Sequence, residues 1–151
     1  MAIGHAAGLA AHLSIETNRQ PRDIDVESLQ RLLLAQGQVL TYFTDLDLRD
    51  PAFRGLQFFG ARGFFKNYEA RSRQPLDRET ATNWLTIVKP AMRIEHSVQP
   101  HLTRRELQVL LGKSVGDWED PSNAHRSPED PVWRGEFCRA LYSLVAGSNE
   151  K

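Results

Sequence analysis

The residues of this chain whose types and spacing could do chemistry are arginines and glycines at recurring intervals. Arg78, Arg104 and Arg134 hold matching positions in Leu76-Asp77-Arg78-Glu79-Thr80-Ala81, Leu102-Thr103-Arg104-Arg105-Glu106-Leu107 and Val132-Trp133-Arg134-Gly135-Glu136-Phe137. Each stretch reads as a helix start, where a cation meets the positive end of the helix dipole and is unfavourable unless an anion offsets it. That anion is either a bound ligand or a local carboxylate, the arginine stem lying on apolar surface in the second case. Gly4 and Gly8 stand four apart and so share one helical face, where the missing Cβ lets a backbone or a flat ligand come close. Each glycine costs a helix about 1 kcal/mol, so the pair implies either tight packing or a ligand.

Other reactive groups form no constellation. His5, His12, His96, His101 and His125 never fall at the i, i+4 spacing of a helical metal pair, although His5 and His12 could share a face. Asp45, Asp47 and Asp50 lack the turn glycine and terminal glutamate of a calcium loop, and no G-x-S-x-G elbow exists. No catalytic residue and no metal ligand is therefore assigned. The single Cys138 excludes an internal disulfide and reads as a small core hydrophobe. With 19 Lys and Arg against 19 Asp and Glu, the electrostatic footprint of a nucleic-acid binder is absent. No apolar run approaches the ~20 residues that span a bilayer, and no signal peptide opens the chain, which makes the cytoplasm the default location.

The elements that must position these residues are helical. A chain of 151 residues supports one core. Ala2 to Thr17 reads as a small-residue helix. Asp25 caps a second helix over Val26 to Gln36, closed by Gly37, with Val26, Leu29, Leu32, Leu33 and Leu34 on its apolar face. Gln38 to Phe43 is expected as a short strand and Thr44 to Asp50 as a solvated acidic linker. Asp50-Pro51 starts a helix to about Arg62 that turns Phe53, Leu56 and Phe59 inward, and Gly63 ends it. Beyond each of the three arginines the same offsets recur as a buried-face stripe: Ala81, Trp84, Leu85, Val88; then Leu107, Leu110, Leu111, Ser114; then Phe137, Ala140, Leu141, Leu144. Asp77 caps the first of these helices and Thr103 with Glu106 makes a capping box on the second, whereas Trp133 breaks the pattern in the third. The separations of 26 and 30 residues fit units that bury their faces against one another. Gly116 to Pro131 reads as a mobile loop with Trp118 as an anchor.

Two resemblances sharpen this reading. Ala52 to Phe59, Gly63 to Tyr68 and Leu76 to Ala81 together resemble an S-layer-homology repeat, a helix, a glycine-containing loop and a second helix opening with a T-R-A-E-like sequence; the two later units are similar to its second half. The resemblance implies a prong of three units that holds anionic cell-wall polysaccharide, with Arg78, Arg104 and Arg134 in the place of the motif arginine. Ile3 to Ala11, Pro21 to Val26 and Leu29 to Leu40 resemble the C-terminal end of bacterial FAD-dependent oxidoreductases of the xanthan lyase-like group. Gly4-His5-Ala6-Ala7-Gly8 stands for that family's G-Q-A-A-G motif, His5 replacing the glutamine. The resemblance implies that Gly4, His5, Ala6, Ala7 and Gly8 lie against FAD, and a helix N-terminus suits a polarised flavin carbonyl or a phosphate.

The combined expectation is a mainly α protein: a helical remnant of a flavin domain over residues 1–45, followed by three degenerate S-layer-homology-like helical units over 46–151. The dinucleotide fingerprint G-x-G-x-x-G is absent, so the chain is expected to be a C-terminal fragment of a FAD-dependent oxidoreductase, not catalytic alone, whose partner is the missing N-terminal flavin domain. The alternative is a helical repeat module that binds anionic polysaccharide or a protein partner. An exposed small-residue helix also predicts self-association or poor solubility.

Overall fold

The computed structural model describes residues 2–89, 92–95, 97–112 and 125–147, and these are mainly helical. Among the described residues the helices are α1 (Ala2–Thr17), α2 (Val26–Ala35), α3 (Phe53–Gly60), α4 (Arg78–Val88), α5 (Arg104–Leu111) and α6 (Arg134–Gly147), with a 3-10 turn at Pro21–Asp23. Trp118 and Ser114 lie outside the described residues.

The helix starts follow from their capping residues. Asp25 accepts from the N–H groups of Glu27 and Ser28, and Asp77 from that of Thr80. Thr103 and Glu106 form the reciprocal capping box on α5. In α6 the missing hydroxyl at Trp133 removes only half of that arrangement, because the Trp133 N–H still donates to Glu136 Oε2 at 2.9 Å. The helix expected from Asp50-Pro51 begins instead at Phe53, with Ala52 at its N-cap position and no side-chain cap; Asp50 accepts from the Ala52 N–H at 2.8 Å within the turn that precedes it.

Two further expectations are corrected. Gln38 to Phe43 forms no strand; among the described residues no strand stands beside it to pair with, and the N–H groups of Leu40 and Thr41 donate instead to the buried Gln57 side chain at 2.9 and 2.7 Å. The acidic linker is not merely solvated, since Asp45 accepts from the N–H groups of Ala70 and Arg71 at 2.7 and 2.8 Å and ties two loops together. Of the segment expected as a mobile loop, the described residues from His125 onward are held by Arg126, whose guanidinium stacks 3.9 Å from the Trp133 ring centroid and donates to Glu136.

One core joins Leu34 and Phe43 to Leu56, Phe58, Phe59, Leu85, Leu107 and Leu141. Aromatic rings run through it: Phe59 on Phe64 and Phe64 on Trp84, each at 4.8 Å between centroids, then Phe137 at 5.9 Å from Trp84. The indole N–H of Trp84 is satisfied by the Phe64 carbonyl at 2.7 Å, as a buried polar group requires. The apolar offsets account for the buried faces of α4, α5 and α6, which bury Ala81, Trp84 and Leu85, then Leu107 and Leu111, then Phe137, Ala140 and Leu141. Helices α3 and α6 cross closely at Gly55, where a Cβ would stand 2.6 Å from the Cys138 carbonyl oxygen and 2.9 Å from the Arg139 nitrogen. Glycine is required there by the approach of two backbones.

Candidate functional site

The segments that precede α4, α5 and α6 close on one another in a ring. The Leu76 N–H donates to the Val132 carbonyl at 2.7 Å, Val132 to Leu102 at 2.7 Å, and Leu102 back to Leu76 at 3.2 Å. A second cycle runs through the arginine backbones: Arg78 donates to Pro100, Arg104 to Asp130 and Arg134 to Gln74, each at 3.0 Å. First-turn N–H groups have no intrahelical acceptor, and here the neighbouring segment supplies one to each helix in turn. Leu76, Leu102 and Val132 are fully buried at the centre.

The side chains follow the direction of the second cycle, which is opposite to that of the first. Arg78 reaches from the first segment to the second, where its Nη2 donates to both oxygens of Glu106 at 2.8 and 3.0 Å and to the His101 carbonyl at 3.3 Å, while Nε and Nη1 reach the carbonyls of Gln99 and Glu95. Arg104 reaches from the second to the third, with Nε 3.6 Å from Glu136 Oε1 and Nη1 donating to the Arg126 carbonyl at 2.8 Å. Glu136 also receives two hydrogen bonds of 2.8 Å from Arg126, so this buried carboxylate serves two arginines and a helix start. Arg134 reaches towards the first segment, where the position of Glu106 and Glu136 is held by Thr80 and the carboxylate belongs to Asp77. Among the described residues Arg134 forms no ion pair; its guanidinium carbon lies 5.9 Å from the Trp84 ring centroid and its Nε is buried without a hydrogen-bond partner.

The electrostatics agree with this asymmetry. Burial alone would raise the pKa of Glu106, but the Thr103 N–H, the Arg78 guanidinium and the Thr103 hydroxyl outweigh it and hold the carboxyl below its ordinary range. Burial likewise opposes ionisation of Asp77, whose pKa is nevertheless lowered by the N–H and hydroxyl of Thr80, with a smaller contribution from the positive charge of Arg134. The ring thus brings the three nominated arginines into one cyclic arrangement. It engages Arg78 and Arg104 with protein acceptors and leaves Arg134 with the least.

The glycine motif lies elsewhere. In α1, His5 and Ala6 are half-buried on the side of α2, where the His5 ring meets the Gln36 side-chain oxygen, whereas Gly4, Ala7 and Gly8 are exposed. A Cβ at Gly4 or Gly8 would meet nothing within 4 Å. Packing within the described residues is therefore not why glycine stands at these positions. The exposed side of α1 continues through Ile3, 87% exposed, Ala11 and Ile15, 81% exposed, in a stripe that no described residue covers.

The fit to a flavin is partial. The Gly4, Ala7 and Gly8 side offers a surface free of bulky side chains to a planar ring. In a helix that starts at Ala2, N–H groups beyond the first turn are already engaged by intrahelical carbonyls, so the motif presents shape more than donors. Four cavities of about 590, 580, 290 and 240 Å³ take none of their lining from residues 4–8. A flavin site would need its concave walls from another polypeptide segment.

Among the described residues, no group of three or more His, Cys, Asp or Glu side chains could hold a metal ion, and no helix is long and apolar enough to cross a membrane. Cys138 is fully buried, and burial pushes its thiol pKa far up. Sequence reasoning had not singled out Glu136, Arg126 or Arg139. Glu136 was detectable, since it stands two residues after Arg134 as Glu106 does after Arg104; Arg126 and Arg139 carry no such signal. Comparison with protein-family models, with curated proteins and with solved structures finds no match.

Proposed function

We propose that this chain is the C-terminal portion of a FAD-dependent oxidoreductase, in which residues 1–45 complete a flavin domain and residues 46–151 form a helical appendage. The observation that carries this reading is the uncovered face of α1. Two helical glycines cost about 1 kcal/mol each, and nothing in the described fold comes near enough to require them. A planar cofactor or a flavin-domain backbone lying on Gly4, Ala7 and Gly8 supplies the missing reason. When bound, FAD would provide the redox chemistry; this chain's residues would shape one side of its cradle and exclude water from it.

The test is genomic and then physical. Coding sequence for a dinucleotide-binding flavin domain directly upstream supports the proposal, and unrelated sequence there overturns it. The purified chain alone is expected to retain no flavin after incubation with FAD and removal of the free cofactor, and retention is expected only together with that domain.

A second reading is favoured by one observation, that of the three arginines Arg134 forms no ion pair among the described residues. On this reading the helical units bind an anionic polysaccharide and Arg134 is the residue that meets it, because Arg78 and Arg104 are already engaged within the ring. Pull-down on cell-wall polysaccharide with wild type and Arg134→Ala tests it, and equal recovery of the two removes it.

A further inference from the structure

We propose that the groove between the loop of residues 45–51, the loop of residues 71–74 and α6 is a binding site for a phosphate group carried on a small molecule, with Arg139 as its anchor. The groove has a volume of about 590 Å³ and shares Asp50, Pro51 and Arg139 with a neighbouring cavity of about 580 Å³ lined by Leu34, Phe53 and Tyr142. Both volumes fall within the range of small-molecule sites. Arg139 therefore stands on the wall common to a charged lobe and a more apolar one, an arrangement suited to a ligand with an anionic head and an organic body.

The charges of the groove are not equivalent. Its four carboxylates already have partners: Asp45 takes the N–H groups of Ala70 and Arg71, Asp47 that of Arg49, Asp50 that of Ala52, and Glu136 the Arg126 guanidinium and the Trp133 N–H. Of its four arginines only Arg71 is paired, with Glu69 at 2.6 Å. The guanidinium groups of Arg49, Arg73 and Arg139 have no hydrogen bond or ion pair among the described residues, and Nη1 of Arg139 is buried besides. A guanidinium that lines a groove without a protein acceptor can take an oxyanion there in a charge-assisted hydrogen bond. Three guanidinium groups without a protein acceptor offer more N–H donors than a single carboxylate takes, which favours the three oxygens of a phosphate, while Asp45, Asp47 and Asp50 keep their negative charge and confine the anion to the arginines. The inference is independent of the flavin reading, because it uses no residue of α1.

The experiment is isothermal titration of the whole chain with inorganic phosphate and with glucose 6-phosphate, against sodium chloride and acetate at matched ionic strength. Saturable binding of phosphate is expected, with affinity lowered about tenfold or more in Arg139→Gln and several-fold in Arg73→Gln. Tighter binding of the ester identifies an organic phosphate as the ligand class, and equal binding identifies free phosphate; both support the site. An equal response to chloride or acetate overturns the proposal, as does unchanged phosphate affinity in a folded Arg139→Gln. Should Arg139→Gln not fold, the exposed Arg73 decides, since its replacement disturbs no internal partner: unchanged affinity in Arg73→Gln is then the overturning result.

Discussion

Glu106 on the first turn of α5 receives both a reciprocal cap from Thr103 and two hydrogen bonds from Arg78, a residue 28 positions earlier at the start of α4. One carboxylate therefore fixes the beginning of its own helix and the position of the preceding one. Glu136 repeats the relationship with Arg104 in a drier setting, the two side chains being 5% and 1% exposed. A cation at a helix N-terminus, unfavourable in isolation, becomes here the link between successive units.

The first prediction concerns that drier pair. Glu136→Gln is expected to destabilise the fold by about 3–5 kcal/mol, because it leaves Arg104 and Arg126 buried without their common counter-charge. Chemical denaturation monitored by circular dichroism measures this, and a loss well under 1 kcal/mol would show the carboxylate to be dispensable.

Acid should weaken the protein in a defined window. The carboxyls of Glu106, Asp77 and Asp25 all have lowered pKa values; for Asp25 the Ser28 hydroxyl contributes most, ahead of the backbone N–H groups of Ser28 and Glu27. A carboxyl whose folded pKa lies below its unfolded value contributes stability that is complete above the unfolded value and is lost as pH falls through the folded one. Stability is thus expected to be flat near neutrality and to decline below about pH 4.5, the ordinary value for a glutamate. Melting temperature across a pH series checks this; Glu106→Gln should flatten part of the decline.

The crossing of α3 and α6 admits no side chain at Gly55. Gly55→Ala places a methyl group 2.6 Å from the Cys138 carbonyl oxygen, between two backbones rather than against a flexible side chain. The expected cost is about 1–3 kcal/mol or more, even though alanine favours helix. A melting temperature equal to wild type would mean that the helices can separate freely.

Gly4→Ala and Gly8→Ala should behave in the opposite way. With no atom near the added methyl group, each is expected to stabilise the isolated chain by up to about 1 kcal/mol through helix propensity. If α1 lies on a flavin domain, the same changes weaken that association. Stability that rises while flavin retention by the reconstituted protein stays constant would count against a close approach at these positions.

Cys138 should be inert. Its thiol is fully buried and held protonated by that burial, so disulfide-exchange reagents are expected to label it only after unfolding. Rapid labelling of the native chain would contradict the buried position.

Much of the local structure was legible in the sequence. Asp25, Asp77 and the Thr103 and Glu106 pair announce three helix starts because capping is a short-range interaction between neighbours in the chain. The apolar offsets after Arg78, Arg104 and Arg134 identify the buried faces for the same reason, since helical periodicity is itself local. The apparent strand at Gln38 to Phe43 was misread because strand propensity needs a partner, and only the fold shows that Gln57 takes its N–H groups instead.

Residue types and spacing alone determined the mainly helical class, the capping residues and the positions of the three arginines. Only the tertiary structure decided what the arginines do: which carboxylates Arg78 and Arg104 meet, that Arg134 forms no ion pair among the described residues, and that Arg139 lines a groove. It also decided that no described residue covers Gly4 and Gly8. Periodicity and caps are properties of adjacent residues, whereas the partner of a guanidinium or the neighbour of an absent Cβ depends on segments brought together from tens of residues away.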